Sequence, residues 1–580
     1  MKDWLHNQLE QIQLNLSRPD ALVMLVVMGL ITGLLAGGII VAFRYAVEGP
    51  LMGFMPGQKG ENFEGLPGWL RLLLPIMGGL VIGFLFRWTA DGRYVMGVGR
   101  VMERLAYHQG YIRFREVVLQ FVGAAIALIS GHSAGREGPN VFLGAAAGSL
   151  LGQRLSLPNN SIRTMVGCGT AAAIAASFNT PLAGVIFALE VVMMEYTLVS
   201  FLPLMLAAVI ADAVSIFFFG LEPAFQVPAL ELGSMWEVPA VVILGLVTGA
   251  IAAGFIHLYK AIAGLGKALP YWWRTTVAGL IVGLCGFAVP EVMGVGYDTV
   301  DLALLGELGF MALFVILVAK VLASAACGGL GIPAGMIAPS LFMGAVIGGL
   351  VGGFTAQWFP EISSGPTFYV MLGMGAMMGA SLQAPLAGLM AMLELTHNSE
   401  IIMPGMLVIV IANLTASELF GKESIFITML KASGFDYRTS PVLQALRRIG
   451  VASVMKKNFV QHDRIITRQE AEKLLAAEPE WLIVDEEGSP VVLMHAVDLA
   501  RHLQNEDEEE GGIEEIDLLH IPAWREQMTS INMQATLQEA LELLDRDPAE
   551  SLYVERMAAP GIQRIYGILT REQIESAYHY

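Results

Sequence analysis

A carboxylate and a guanidinium, Glu137 and Arg136, stand next to each other inside a glycine-rich stretch that runs from Gly131 to Asn140. Apolar runs lie on both sides of it, at 121–130 and 141–152. At the centre of a membrane each such charge costs on the order of 3 kcal/mol, so a functional role is the default interpretation. A break in a membrane helix leaves backbone N–H groups free, and such groups can bind an anion. A nearby carboxylate can occupy the same place when it is ionised and leave it when it is protonated. An extramembrane loop with a surface ion pair is the alternative.

Membrane helices must position this break. The chain has 580 residues, of which 55% are hydrophobic and 15% charged, and its mean hydropathy is +0.60. These values exclude an ordinary soluble protein and predict many membrane spans. The apolar segments predict spans near 21–46, 68–88, 116–130, 138–152, 162–178, 180–195, 200–219, 237–262, 271–289, 309–327, 338–355, 367–380, 384–396 and 402–419. The formal net charge of −18 arises largely in the last third and argues against nucleic acid as a partner.

An internal repeat indicates how the spans are arranged. Residues 169–190 match residues 373–394, and the shared core is Pro-Leu-Ala-Gly followed by Glu190 or Glu394. Helix packing in lipid favours small residues, so segments rich in them resemble one another by chance. Matching proline and glutamate positions favour a true duplication instead.

The glycine-rich break is itself part of the repeat. Residues 135–148 match residues 335–348, so each half carries a break at the corresponding position. In internally duplicated transporters the substrate lies where such breaks converge. Ile337 stands where the first half has Glu137. The scaffold is therefore duplicated while the carboxylate is unique, which is the arrangement expected of a gate.

Several ordered motifs carry a resemblance to a known family. They are GHSAGREGP at 131–139, FNTPLAG at 178–184, GGLGIPAGMIAPSLF at 328–342 and Lys320 ahead of the second break. The chain from about 20 to 430 resembles the CLC family of chloride channels and proton-coupled chloride antiporters. The resemblance implies an all-α polytopic membrane domain with an inverted repeat. It also implies chloride or a similar inorganic anion as the ligand, and a homodimer with one pore in each subunit.

The resemblance also assigns site residues, with Glu137 as the gating glutamate. The implied anion-binding positions are Ser133, Gly135, Arg136, Gly138, Met336, Ile337, Val98 and Phe426. Val98 replaces the serine of the family's Gly-Ser-Gly-Ile-Pro, and Phe426 replaces a tyrosine. Two hydroxyl donors are therefore missing, which weakens the dehydration of a small anion. We expect broad selectivity among larger anions.

A third departure concerns proton coupling. Antiporters of the family carry an inner glutamate directly after the position of Glu190, and here Val191 takes its place. Valine cannot carry a proton, which favours a passive anion channel gated by Glu137. A proton-coupled antiporter is the alternative, because some exchangers of the family lack that acid. Glu195, one helical turn further on, is the candidate substitute, although a solvated helix end is the favoured interpretation of it.

Composition changes beyond about 435, where apolar runs shorten and charges rise. The predicted domains are a cytoplasmic N-terminal segment at 1–20, a transmembrane domain at 21–435 with repeats at about 68–219 and 271–419, and a cytoplasmic domain at 436–580 with units at about 447–504 and 518–580. An arginine-rich loop follows the second span and predicts that this loop and the N-terminus are cytoplasmic, in a plasma or bacterial inner membrane. The resemblance to CLC proteins implies that the C-terminus is cytoplasmic as well. The basic residues of the loop are Arg87, Arg93, Arg100, Arg104, Arg113 and Arg115.

The C-terminal domain is predicted to be α/β. Residues 481–485 and 491–494 predict two strands before a helix near Ala496, and 551–577 repeats that order. This resembles a paired CBS module, a regulatory domain of many CLC proteins. The acidic linker at 505–517 is interpreted as a disordered tether.

Adenine nucleotide is one implied ligand of such a module, and a purely structural, dimerising role is the alternative. The implied nucleotide residues are Asp498, Gly567 and Thr570. We find no clustered His/Cys ligands, nucleophile elbow or phosphate-binding loop, so no catalytic or metal-binding residues and no enzymatic activity are predicted. A membrane-anchored sensor is a third hypothesis.

Overall fold

The computed structural model describes residues 16, 21–56, 62–89, 97–221, 225, 233–435, 441–486, 488–508, 515–559 and 562–577. The chain divides into a helical unit, Leu22–Gln153 with Ile162–Tyr437, and a C-terminal unit, Arg438–Tyr580 with Met1–Ala21 and Arg154–Ser161. Apart from Leu16, the predicted N-terminal segment at 1–20 lies outside the described residues, as does Arg93.

Seven of the described helices in the helical unit are long and apolar enough to cross a membrane. Its first half contains α1 (Leu22–Phe54), α2 (Gly68–Thr89), α3 (Val98–Tyr107), α4 (Phe114–Ile129), α5 (Glu137–Arg154), α6 (Asn159–Phe178), α7 (Pro181–Phe187, continued by the π-helical turn Ala188–Met193) and α8 (Leu198–Phe219). Its second half contains α9 (Val238–Gly266), α10 (Tyr271–Ala288), α11 (Tyr297–Leu304), α12 (Phe310–Gly329), α13 (Ile337–Trp358), α14 (Pro366–Leu382), α15 (Pro385–Thr396), α16 (Ile402–Leu414, continued by Thr415–Leu419) and α17 (Ile425–Ala432). Each predicted span coincides with one of these helices.

The two glycine-rich breaks adopt the same backbone. Gly131 and Gly331 occupy equivalent positions with φ of 76° and 88°, a region that favours glycine. Further on, Gly135 N donates to Gly335 O at 2.8 Å and Gly335 N donates to Gly135 O at 2.7 Å. This antiparallel bridge satisfies backbone groups that the interrupted helices leave without partners, as the membrane interior requires. The two halves of the repeat therefore meet at their breaks.

A second reciprocal contact joins the halves through the glutamates of the repeat. Glu394 accepts from the N–H groups of Leu182 and Ala183 in the first turn of α7, at 2.9 and 2.7 Å. Glu190 accepts from the corresponding two amides of α15, at 3.2 and 2.7 Å. Each carboxylate thus caps the N-terminus of a helix in the opposite half, where both the free donors and the helix dipole favour an anion.

The C-terminal unit is an α/β unit. Its elements are α18 (Pro441–Arg447), α19 (Val451–Val454), β1 (Phe459–Asp463), β2 (Ile465–Thr467), α20 (Arg468–Leu475), β3 (Trp481–Glu486), β4 (Ser489–His495), α21 (Ala496–Glu508), β5 (Glu515–Asp517), β6 (Arg525–Asn532), α22 (Leu537–Arg546), β7 (Ser551–Ala559), β8 (Ile562–Thr570) and α23 (Arg571–Ala577). Six strands form one sheet in the order β1-β3-β4-β6-β7-β8, and β2 pairs with β5. The hairpins β3–β4 and β7–β8 each precede a helix, in the predicted order.

The acidic linker is ordered at both ends, so the prediction of a disordered tether over 505–517 is wrong there. Helix α21 continues to Glu508, and β5 pairs with β2. The Arg464 guanidinium donates to Asp517 at 3.0 and 2.8 Å and holds the pKa of that carboxyl below its usual range. Composition gave no sign of this partner because it lies far away in the sequence. Residues 509–514 lie outside the described residues.

The reciprocal caps generate a prediction for stability. Glu190→Ala leaves two first-turn amides of α15 without their acceptor, and we expect a loss of about 2 kcal/mol, the range measured for hydrogen bonds to charged groups. Glu190→Gln keeps an acceptor oxygen and should lose less. Thermal unfolding of the purified protein in detergent measures both. Glu400→Ala, at an exposed glutamate, is the matched control, and an equal effect of the two alanine variants would contradict the capping role.

Candidate functional site

The unique carboxylate lies inside the protein, at the start of α5. Glu137 is fully buried, and its Oε1 accepts a hydrogen bond from the Tyr297 hydroxyl at 2.7 Å. The backbone N–H groups of Glu137 itself and of Ala338 also lie beside the carboxylate. Donors of this kind favour a negative charge, whether the carboxylate or another anion carries it.

The carboxylate faces the N-terminus of the second broken helix. A Cβ built on Gly135 would overlap Glu137 Oε2 and would lie 3.3 Å from the backbone N of Ala338, in the first turn of α13. A Cβ built on Gly138 would likewise overlap the opposite break, at 2.6 Å from the Cα of Gly335. The N-termini of α5 and α13, each with unpaired N–H groups and a positive dipole end, therefore converge beside this carboxylate. Such a junction favours an anion.

The other predicted residues of the two breaks are buried around this junction. Ser133 Oγ lies 3.1 Å from Ser324 Oγ, and Met336 and Ile337 are 1% and 0% exposed at the start of α13. Arg136 differs, because its guanidinium forms an ion pair with Glu48 at 2.9 Å. Its side chain is therefore committed to a neighbouring carboxylate.

Val98 and Phe426, the positions that lack hydroxyls, belong to helices that pack together. Val98 is the first residue of α3 and Phe426 lies in α17, and both are buried. Gly97, directly before Val98, approaches the backbone of Gly138, since a Cβ there would lie 3.5 Å from Gly138 O. The N-terminus of α3 thus lies beside the first turn of α5.

The loop that was predicted to be arginine-rich contains this helix. In α3, Arg100 forms ion pairs with Glu103 and with Glu116, and Arg104 forms an ion pair with Glu116. All four side chains are buried. The two arginines are therefore internal charges and not loop charges, and the sequence did not indicate this because Glu116 belongs to the next helix.

The position of the missing inner glutamate is buried. Val191 lies in the π-helical turn after α7 and is 4% exposed. Glu195 follows closely and is 7% exposed. The interpretation of Glu195 as a solvated residue at a helix end is therefore wrong, and a buried carboxyl is present close to the lost one.

Sequence analysis missed Tyr297, the hydrogen-bond partner of the unique carboxylate. A signal was present, because Val-Met-Gly-Val-Gly occurs twice, at 95–99 and at 292–296. The first copy leads into α3 and the second into α11, so the repeat extends to these two short helices. Arg100 follows one copy and Tyr297 follows the other.

In the C-terminal unit a cleft of about 780 Å³ includes Thr570 among its lining residues, and we call it the Thr570 cleft. Its other lining residues include Lys456, Glu480, Trp481, His495, Glu526, Asp547, Glu550, Arg571 and Glu572. Asp498 and Gly567 are not among them: Asp498 lies 3.6 Å from Arg501, and Gly567 pairs with Val554 inside the sheet. The structure therefore does not bring the three predicted nucleotide residues together in this cleft.

Comparison with known proteins agrees with this geometry. A family model described as voltage gated chloride channel matches residues 78–417. A protein of Ralstonia nicotianae named as a ClcB-like chloride channel is 34% identical over 357 residues, covering 60% of this chain and 83% of the relative. The H(+)/Cl(-) exchange transporter ClcA of Vibrio cholerae is 28% identical over 416 residues, covering 70% and 88%.

Two solved structures share the fold. A slow cyanobacterial Cl-/H+ antiporter has a TM-score of 0.65 at 21% identity, covering 71% of this chain and 99% of that chain. A eukaryotic CLC transporter has a TM-score of 0.59 at 18% identity, covering 95% and 97%. A duplicated helical membrane unit whose breaks meet beside one buried carboxylate defines an anion transport protein. This chain belongs to the CLC family and is a multi-pass membrane protein.

The missing hydroxyls generate a prediction for selectivity. Because backbone N–H groups dominate the junction, we expect efflux of nitrate and bromide to match or exceed that of chloride. Val98→Thr adds a hydroxyl at almost constant shape and should raise chloride relative to nitrate on the order of ten-fold, the net worth of a hydrogen bond to a charged group. Liposome efflux assays with each anion measure the ratio. Val98→Ala controls for side-chain volume, and an equal change in both variants would contradict the role of the hydroxyl.

Proposed function

We propose that this protein is a proton-coupled anion antiporter in which Glu137 occupies the anion's place and carries the proton through the outer part of the pathway. The proposal depends on the position of the Glu137 carboxylate. Its carboxylate lies between the Tyr297 hydroxyl and the N-terminus of α13. Protonation removes the charge that these donors hold, so the side chain can leave and an anion can enter. Proton uptake and anion entry are then linked at one position.

Two further observations support coupling. Glu195 is a buried carboxyl close to Val191, so a candidate proton carrier exists although the usual inner position is lost. The relative from Vibrio cholerae is named an exchange transporter, and one structural neighbour is titled an antiporter. These observations favour the antiporter over the passive channel that the sequence alone favours.

A passive channel is the second candidate, and Val191 favours it. This side chain is buried and cannot carry a proton. The relative from Ralstonia nicotianae is named as a channel. In a channel Glu137 would still block the pathway when it is ionised and seated, but no proton would cross with each anion.

The reversal potential under a pH gradient separates the two candidates. In liposomes, the wild-type protein should reverse at a potential displaced from the equilibrium potential of the anion. Glu137→Gln should still pass anions but reverse at the anion's own equilibrium potential, because the amide cannot take up a proton. Glu195→Gln should slow proton flux more than anion flux.

Glu237→Gln is the matched control, since Glu237 is another buried glutamate, and it accepts hydrogen bonds from Tyr369 at 3.0 Å and from Ser364. This variant should keep the displaced potential. A wild-type protein that reverses at the anion's equilibrium potential would reject the antiporter in favour of the channel. Loss of coupling in Glu237→Gln would show that the assay reports general damage.

For the C-terminal unit we propose a CBS domain pair in which the Thr570 cleft binds a ligand. Trp481 is 8% exposed and its Nε1–H has no hydrogen-bond partner among the described residues, and Glu526 Oε2 is likewise buried without one. One unmatched donor and one unmatched acceptor in the lining of a cleft favour a ligand that offers the complementary pair.

The charged residues that line the Thr570 cleft favour a ligand that presents an amino group over one that presents a phosphate. Lys456 forms an ion pair with Glu480, and Arg571 forms one with Asp545 at 3.0 Å. Glu526, Asp547, Glu550 and Glu572 have no ion pair with any described residue. Burial raises the pKa of the Glu526 carboxyl, and the negative charge of Glu550 raises it further. Additional negative charge in the cleft would therefore be repelled.

We therefore expect adenosine to raise the melting temperature of the full-length protein and ATP to raise it less or not at all. Glu526→Gln and Trp481→Phe each remove one unmatched group and should reduce the effect of adenosine. Stronger stabilisation by ATP would contradict the charge argument. No stabilisation by either ligand would support the purely structural role.

We also propose the assembly and the orientation. Membership of the CLC family, together with the resemblance described above, supports a homodimer with one pore in each subunit. Cross-linking in membranes tests the dimer, and protease access in sealed vesicles tests the cytoplasmic location of both termini.

A further inference from the structure

Lys320 is a fully buried cation on α12 that lies near the gating region. Its Nζ donates to three backbone carbonyls, those of Val292 at 3.2 Å, Gly294 at 3.3 Å and Val295 at 3.3 Å. It also lies 4.3 Å from the centre of the Phe342 ring. A buried ammonium requires such partners, so these carbonyls must converge on one point.

The carbonyls belong to the turn that directly precedes Tyr297. This turn contains Gly294 and Gly296 with φ of 61° and 82°, and Gly294 N donates to Gly131 O of the first break at 3.3 Å. The turn is therefore held by Lys320 on one side and by the break on the other. Its end fixes where α11, and with it Tyr297, begins.

The Tyr297 side chain is held from other directions as well. Its ring packs edge-on against Phe225 at 5.2 Å, and the Arg136 guanidinium lies 5.9 Å from its centre. From this position the hydroxyl donates to Glu137 at 2.7 Å. A tyrosine that is fixed in this way offers its proton in one direction, and that direction is the gating carboxylate.

The duplication shows that this arrangement belongs to one half only. Gln120 stands fifteen residues before Gly135, as Lys320 stands before Gly335. Gln120 bonds Gly97 N at 3.1 Å and Pro333 O at 2.9 Å, so it braces the equivalent turn without a charge. Among the described residues, it is the second half that joins a cation, a turn and a tyrosine to the carboxylate of the first half.

We propose that the Tyr297 hydroxyl stabilises the ionised Glu137 carboxylate in its present position, and we call this hydrogen bond the latch. Lys320 is the positioning residue that fixes the orientation of Tyr297. The inference rests on the proposed role of Glu137 as the gate. A hydroxyl that donates to a carboxylate favours the ionised form, and the ionised form is the seated one. The latch therefore sets how acidic the solution must be before the gate leaves. Of the groups around the carboxylate, Tyr297 and Arg136 titrate or carry charge, whereas the first two residues of α13 are apolar.

Tyr297→Phe tests the latch, because it removes only the hydroxyl. The ionised carboxylate loses a donor and takes up its proton at higher pH, so the pH midpoint of anion efflux should move upward by about one unit. Efflux at neutral pH should rise about ten-fold with it. Tyr369→Phe is the matched control, since it removes a hydroxyl bonded to the buried Glu237 at 3.0 Å. A purely structural role for Tyr297 predicts that both variants lose thermal stability and that neither moves the midpoint.

The positioning role of Lys320 is tested in the same efflux assay. Lys320→Arg keeps the charge, but its planar fork cannot reproduce three convergent bonds, so the midpoint should move upward by less than in Tyr297→Phe. Combined with Tyr297→Phe, it should add no further shift, because the latch is already absent. An additive shift, or a folded Lys320→Arg protein with the wild-type midpoint, would overturn the positioning role. Proton coupling is measured separately by the reversal potential, so the latch and the antiporter can fail independently.

Discussion

The helical unit depends on two backbone hydrogen bonds between Gly135 and Gly335. A membrane interior offers no water to an interrupted helix, so every freed N–H and C=O must find a partner within the protein. Each break supplies the partner of the other, and this is possible because the halves meet with their chains antiparallel. The contact leaves no room for a side chain, because a Cβ on either glycine would overlap the opposite half. The amides that remain unpaired at the starts of α5 and α13 then lie close together, and the proposed anion site depends on that proximity.

The residues that give the site its chemistry are those that differ between the two halves of the repeat. Glu137 corresponds to Ile337, Tyr297 to Arg100 and Lys320 to Gln120. The duplicated backbone binds negative charge by itself, so one carboxylate is sufficient to compete for that place. The tyrosine and the lysine that bear on the carboxylate come from the other half of the chain. In the proposed mechanism only the Glu137 side chain has to leave this place, so the two breaks can keep their reciprocal bonds while an anion enters.

Much of this was predictable from the sequence. Helix length and hydropathy predicted the spans, and repeated Pro-Leu-Ala-Gly and glycine-rich segments predicted the duplication and the breaks. Helices α3 and α11 were missed because they are short, and α3 carries Arg100, Glu103 and Arg104, which look like loop residues until Glu116 is placed beside them. The burial of Glu195 and the acceptor of Tyr297 are tertiary facts without a local pattern. The three predicted nucleotide residues do not line one cleft for a related reason: a motif fixes spacing along the chain, whereas a cleft requires residues to share one wall.

The reciprocal caps limit where a proton can travel. Glu190 directly precedes Val191 and is the nearest acid in sequence to the lost inner position. Both of its oxygens accept from the first turn of α15, so they already hold two backbone donors that have no other partner. Protonating Glu190 would weaken these bonds and expose a helix terminus at membrane depth, which is costly. Glu394 is committed to α7 in the same way. A route from Glu195 to Glu137 would therefore have to bypass both caps, because their carboxylates hold the two halves together.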